Sequence, residues 1–212
     1  MMMEVFTEGF LLQASLILAL GAQNLFIIDV GIKKNNHILA ATICAICDVC
    51  LILLGVLGIS TLLSSIPTFK IFIGVLGALF LLYYAVLKLR EFFVGSFDSK
   101  NKAQLVLSKK IIILTTLSFT LLNPHVYIDA FFLIGGYSTK FDFMTDKLSF
   151  GLGAGVFSII WFYFLASFSS KFSTFLSSEK NMRCTSLATG LILTILAYKL
   201  GVESIGEIQK IL

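Results

Sequence analysis

LLNPHVYIDAFF, residues 121–132, interrupts a run that otherwise has the composition of a membrane span. Hydrocarbon disfavours an Asn-Pro break, a histidine, a tyrosine and an aspartate, so their presence there needs a compensating purpose. Pro124 has no N–H to donate and its ring crowds the preceding turn, which frees carbonyls near Thr120 and Leu121. At a rise of about 1.5 Å per residue, Asn123 falls roughly 18 Å into a helix starting at 110, close to mid-bilayer. Freed backbone groups persist at that depth only where protein or a water-filled cavity satisfies them. A proline kink used for packing is the plain alternative. The neighbouring Asn123, His125 and Tyr127 point instead to contact with a polar, cationic solute.

The rest of the chain supports a membrane setting. Of 212 residues 58% are hydrophobic and 13% charged, against roughly 25% charged in soluble domains, and the mean hydropathy is +0.97. The start, MMMEVFTEGF, is acidic and unlike a signal peptide, so the first span is expected to be retained. A net charge of +4 reflects loop bias, and no basic-aromatic surface suggests a nucleic-acid partner. Taking about 20 apolar residues per span predicts six helices, near 6–30, 37–63, 69–92, 110–136, 146–170 and 184–201. Lys and Arg counts place both termini outside, with eleven basic residues on the inner side and five on the outer.

The polar stretch 95–109 then reads as a cytoplasmic connector between two three-helix repeats, 1–94 and 110–212. Three spans per half force the second to be inverted. LFIID at 25–29 faces HVYID at 125–129, and LYYAVLKL at 82–89 faces LTILAYKL at 193–200. Both halves carry an interrupted first helix, the usual pointer to a midplane transport site. The fold class predicted is thus an all-α polytopic membrane bundle of two inverted three-helix repeats.

In the first half the interruption is LGAQNLFIID, with Gly21, Gln23 and Asn24. Gly21 and Pro124 are the expected helix breaks. Asp48, in CAICDVCLILLG, lies about 15 Å into the second helix with no cation within a turn. A carboxylate at that depth is protonated, paired across helices or facing water, and is a functional-site candidate by default. Asp129 is a second candidate; helix pairing is the plain alternative for both. Asp29 can pair with Lys33 at i+4 or serve a pathway mouth as a proton relay, and His125 is a second relay candidate or a neutral hydrogen-bonded ring. Cys44, Cys47 and Cys50 spread over roughly 120° of one helix and cannot converge on one ion. Neither a metal site nor a cofactor is expected, and with no nucleophile–base pair, phosphate loop or HExxH-type motif, nor is an enzyme.

GFLLQASLILALGAQNLFIIDVGIKKNNHI (9–38) followed by CAICDVCLILLGVLG (44–58) resembles the start of the lysine/arginine exporter family of LysE-type amino-acid translocators. LLNPHVYIDAFFLIGGYS (121–138) with GLGAGVFSIIWF (151–162) resembles its second half, most closely the arginine-exporter branch. The resemblance covers nearly the whole chain. It implies a multi-pass protein of the bacterial inner membrane that exports L-arginine or L-lysine, coupled to protons or the membrane potential, with self-association as homo-oligomers. Carried over residue by residue, the motif positions are Gly21, Gln23, Asn24, Gly31, Asp48, Asn123, Pro124, Tyr127, Asp129 and Trp161. Gln23, Asn24, Asp48, Asn123, Tyr127 and Asp129 are then expected to bind or pass substrate, with Trp161 lining the cavity. Two positions depart from the family: Ala22 stands where proline is usual, and the carboxylate of Asp29 is not a family feature. A neutral amino-acid exporter, a divalent-cation transporter of related architecture and a non-transporting scaffold are the competing readings.

Overall fold

The structure, a computed structural model, describes residues 2–18, 21–59, 67–94, 108–173 and 179–209. Every regular element among them is helical, as lipid requires, because a helix satisfies its backbone groups within the segment. The chain runs through α1 (Met2–Ile17), α2 (Ala22–Ile32) and α3 (His37–Leu54), which continues into a π turn at Gly55–Ile59. α4 (Pro67–Val94) and α5 (Lys109–Leu121) follow. α6 is composite: an α turn Pro124–Tyr127, a π segment Ile128–Ile134 and a second turn Gly135–Ser138. α7 (Met144–Lys171) and α8 (Glu179–Gln209) complete the order.

Three stretches are long and apolar enough to cross a bilayer: His37–Gly58, Met144–Lys171 and Arg183–Gly206. Two broken pairs, α1 with α2 and α5 with α6, each add one if counted as a single span, giving up to five among the described residues against the six expected. The remaining expected span, 69–92, falls within α4. The chain is a multi-pass membrane protein. Of the expected connector, residues 95–107 lie outside the described residues, as does the end of the expected second span.

The bends have local causes. α1 and α2 meet at 78°, and Gly21 at the start of α2 is extended, with φ −86° and ψ 172°. α5 and α6 meet at 62°. The residue before a proline is kept out of the helical region, while proline itself suits the first helical position. Hence α5 stops at Leu121 and a new helix starts at Pro124.

Packing divides the interior in two. One apolar cluster joins α1, α3, α6 and α7 through Val5, Ile52, Phe131, Ile134 and Phe150. α1 and α7 approach so closely that a Cβ on Gly9 would overlap the Phe150 carbonyl, and one on Gly153 the Phe6 carbonyl. The other cluster gathers Phe26, Phe162, Phe119 and Leu193, with Phe119 stacked on Phe26 at 4.7 Å and edge-on to Tyr84 at 4.7 Å. α4 and α8 lie side by side, and they expose Leu82, Tyr83, Ile195 and Tyr198 outward.

Candidate functional site: a carboxylate cavity beside two helix breaks

The polar residues of the two breaks serve the interrupted backbone. Ile17 ends α1, and its carbonyl accepts from Asn24 Nδ2 at 2.8 Å; Trp161 Nε1 donates to Asn24 Oδ1 at 3.2 Å. At the second break Leu121 O accepts from the Tyr127 hydroxyl at 2.8 Å. Asn123 Oδ1 accepts the His125 N–H at 3.2 Å, the way an amide side chain caps a helix start. A carbonyl that loses its helical partner in a low-dielectric interior is costly unless another donor reaches it, and Asn24 and Tyr127 supply those donors. Gln23 Nε2 donates to Thr120 Oγ1 at 3.2 Å and so ties the start of α2 to the end of α5.

Beside the breaks lies a cavity of about 50 Å³ whose polar wall is Gln13, Gln23, Asp48 and Asp129 and whose apolar wall includes Ile17, Ile52 and Val126. Its volume admits a few waters and is too small for an amino acid of arginine's size. Asp48 is 7% exposed, and among the described residues its donors are neutral: Ser158 Oγ at 3.1 Å and Gln13 Nε2 at 3.5 Å, both to Oδ2, with the Gln23 amide beside them. Asp129 sits in the π segment of α6, a local widening that often accompanies functional positions. Its carboxylate accepts no hydrogen bond from the described residues. The π segment is held close to α3, since a Cβ on Gly55 would overlap the Ala130 carbonyl. Asp48 and Asp129, one from each half of the sequence, therefore line one cavity; among the described residues neither forms a salt bridge with Lys or Arg, and the exposed His125 is the charged neighbour of Asp129.

Asp29 is elsewhere. Its Oδ1 accepts from Lys88 Nζ at 2.7 Å and lies 3.3 Å from Lys33 Nζ. Glu91 closes the ring, 3.1 Å from Lys88 and 3.2 Å from Lys33, and accepts from Ser186 Oγ at 3.1 Å. Two carboxylates and two ammonium groups cancel, so Asp29 lends no net charge to the cavity. Lys88 is 2% exposed, which suits a latch between α2 on one side and the α4–α8 pair on the other.

Of the residues expected to handle substrate, the structure thus gathers Gln23, Asp48 and Asp129 on one wall. It places Asn24, Asn123 and Tyr127 on freed backbone, Trp161 on Asn24, and Asp29 in the ion-pair ring. His125 is exposed, and Cys44 is buried while Cys50 is exposed. Gln13, Ser158, Lys88 and Glu91 were not anticipated. Gln13 had a readable signal, since an amide inside GFLLQASLILAL (9–20) meets the same energetic objection as Asp48. A serine in a membrane helix is too common to stand out.

Comparison of the sequence with known proteins identifies its family. The family model described as LysE type translocator matches residues 14–204. The arginine exporter protein ArgO of Serratia proteamaculans (strain 568) is 34% identical over 200 residues, covering 94% of this chain and 97% of the relative. ArgO of Enterobacter sp. (strain 638) is 32% identical over 211 residues, 100% of both chains. No solved structure matches. With both helix breaks and both cavity carboxylates inside the matched region, the chain belongs to the LysE type translocator family.

Proposed function

We propose that this protein exports basic amino acids, L-arginine or L-lysine, across the bacterial inner membrane by alternating access at the Asp48–Asp129 cavity. The observation that carries the reading is that two carboxylates, neither in a salt bridge with a Lys or Arg of the described residues, line one cavity formed by both halves of the chain, with the exposed His125 as the charged neighbour of Asp129. An unpaired charge in a low-dielectric interior is costly, and a passing guanidinium or ammonium group removes that cost. The names of the full-length relatives point to the same cargo. The family is one of translocators, not enzymes.

The present cavity is too small for the cargo, so transport requires a rearrangement that widens it. We place that movement at the two bends, where few backbone hydrogen bonds resist rotation, with the halves acting as inverted repeats. A carboxylate binds a proton or an organic cation but not both at full strength, so Asp48 and Asp129 would exchange one for the other. Substrate exit would then be coupled to proton entry as antiport, with the membrane potential as a further driving force.

Efflux of labelled arginine, lysine, threonine and cadmium from proteoliposomes, with and without a pH gradient, tests the reading. Efflux of arginine or lysine that responds to the gradient is expected. Efflux of threonine alone would replace the cargo with neutral amino acids, efflux of cadmium alone would make the protein a metal transporter, and no efflux of any of the four would remove the function.

A further inference from the structure

We propose that Gln13 is a specificity-determining residue of the cavity, an acceptor that favours a guanidinium over a simple ammonium group. The inference rests on the export reading and deepens it. Gln13 lies in α1, is 4% exposed and stands on the cavity wall with Asp48, Gln23 and Asp129. Its Nε2 donates to Ser158 Oγ at 2.8 Å and reaches Asp48 Oδ2 at 3.5 Å. Ser158 is completely buried and donates to the same carboxylate oxygen. The amide of Gln13 is thereby oriented: turned over, it would set its oxygen against a carboxylate and lose the bond that Nε2 makes.

That orientation leaves Gln13 Oε1 buried with no hydrogen-bond partner. Most buried polar atoms are paired, and an exception calls for a physical reason. Here the reason is a ligand. Asp129, half-buried and with the exposed His125 as its charged neighbour, accepts no hydrogen bond from the described residues, so the unmade bonds at Gln13 and Asp129 belong to acceptors, and what completes them once the cavity widens must be a donor. A guanidinium presents a rigid planar fork of N–H groups and can address separated acceptors at once. The ammonium of lysine gathers its three donors on one nitrogen, so it satisfies a carboxylate but spans separated acceptors less well. Ser158 is the positioning residue in this scheme, since it anchors the amide and touches no cargo.

The test compares Gln13→Met, which keeps the length and removes both the acceptor and the Nε2 donor, with the unaltered protein in proteoliposomes, reading KM for arginine and for lysine. A hydrogen bond to a charged donor corresponds to roughly tenfold or more in affinity. The ratio of the two KM values is expected to shift by about tenfold against arginine, with a smaller change for lysine. An unchanged ratio overturns the inference, because a residue that only shapes Asp48 or holds a water would affect both cargoes alike. If the methionine variant does not fold, Gln13→Asn, whose shorter arm withdraws the acceptor from its place, is expected to shift the ratio in the same direction, and an unchanged ratio there overturns the inference.

A second readout separates this inference from the export reading. Arginine, methylguanidinium and the neutral isostere citrulline are added to purified protein in detergent and thermal stabilisation is measured. Stabilisation by the two guanidinium compounds, lost in Gln13→Met, upholds the site even if no efflux is seen. Equal stabilisation of both proteins, or none in the unaltered protein, overturns it.

Discussion

Replacing Lys88 with methionine tests how the α4–α8 pair is held to the rest of the bundle. The substitution keeps the length of the side chain and removes one ammonium from a ring of two carboxylates and two ammonium groups. Asp29 loses a partner at 2.7 Å and Glu91 one at 3.1 Å, leaving a net negative charge in a site where Lys88 is 2% exposed. Removing one member of a buried pair costs about 3–5 kcal/mol, mainly because its partner stays buried and uncompensated. Lys33 remains 3.3 Å from Asp29 and 3.2 Å from Glu91, and its side chain is 31% exposed. It recovers part of the loss, so the expected destabilisation is at the lower end, about 3 kcal/mol. The assay is reversible unfolding in mixed micelles followed by the fluorescence of Trp161, the one tryptophan in the chain. Asp29→Asn and the double variant complete a cycle, and the double variant is expected to lose less than the sum of the singles by about 1–3 kcal/mol. A loss below about 1 kcal/mol for Lys88→Met, or strictly additive singles, would refute a latch at this position.

Further outcomes follow from the same geometry. Asp48→Asn and Asp129→Asn should each impair efflux while leaving membrane insertion intact, and wild-type rates in both would end their assignment to the pathway. Gly55→Ala drives a methyl group into the Ala130 carbonyl, so a loss of about 1–3 kcal/mol is expected, with efflux reduced because Asp129 moves with its neighbour; an efflux rate equal to wild type would show that the π segment tolerates the shift. Tyr127→Phe leaves the Leu121 carbonyl without its hydroxyl donor. It should lower stability by about 1–3 kcal/mol with KM for arginine within about twofold, whereas a large rise in KM would return Tyr127 to the substrate.

Much of this protein can be read from local chemistry. Hydropathy, run length and missing backbone donors are properties of a few consecutive residues, so Gly21, Asn123 and Pro124 announce two interrupted helices before any packing is known. Asp48 and Asp129 announce themselves too, because the cost of a carboxylate in hydrocarbon does not depend on which helix lies opposite. What an amide or hydroxyl does once inside is different. Asn24 and Tyr127 read as substrate ligands in the sequence, yet each turns back to a carbonyl freed by its own break, six or seven residues earlier in the chain.

Only tertiary structure decided the rest. Whether Asp29 answers to Lys33 alone or to Lys33 and Lys88 together depends on how α2 is rotated against α4, and nothing in either helix sets that angle. Gln13 and Ser158, 145 positions apart, became partners because α1 and α7 meet at glycines small enough to let their backbones touch. The sequence by itself determined which groups must be sheltered from lipid, since that follows from transfer energy. The fold determined which groups shelter one another, since that follows from the rotation and approach of helices whose apolar surfaces alone allow several arrangements.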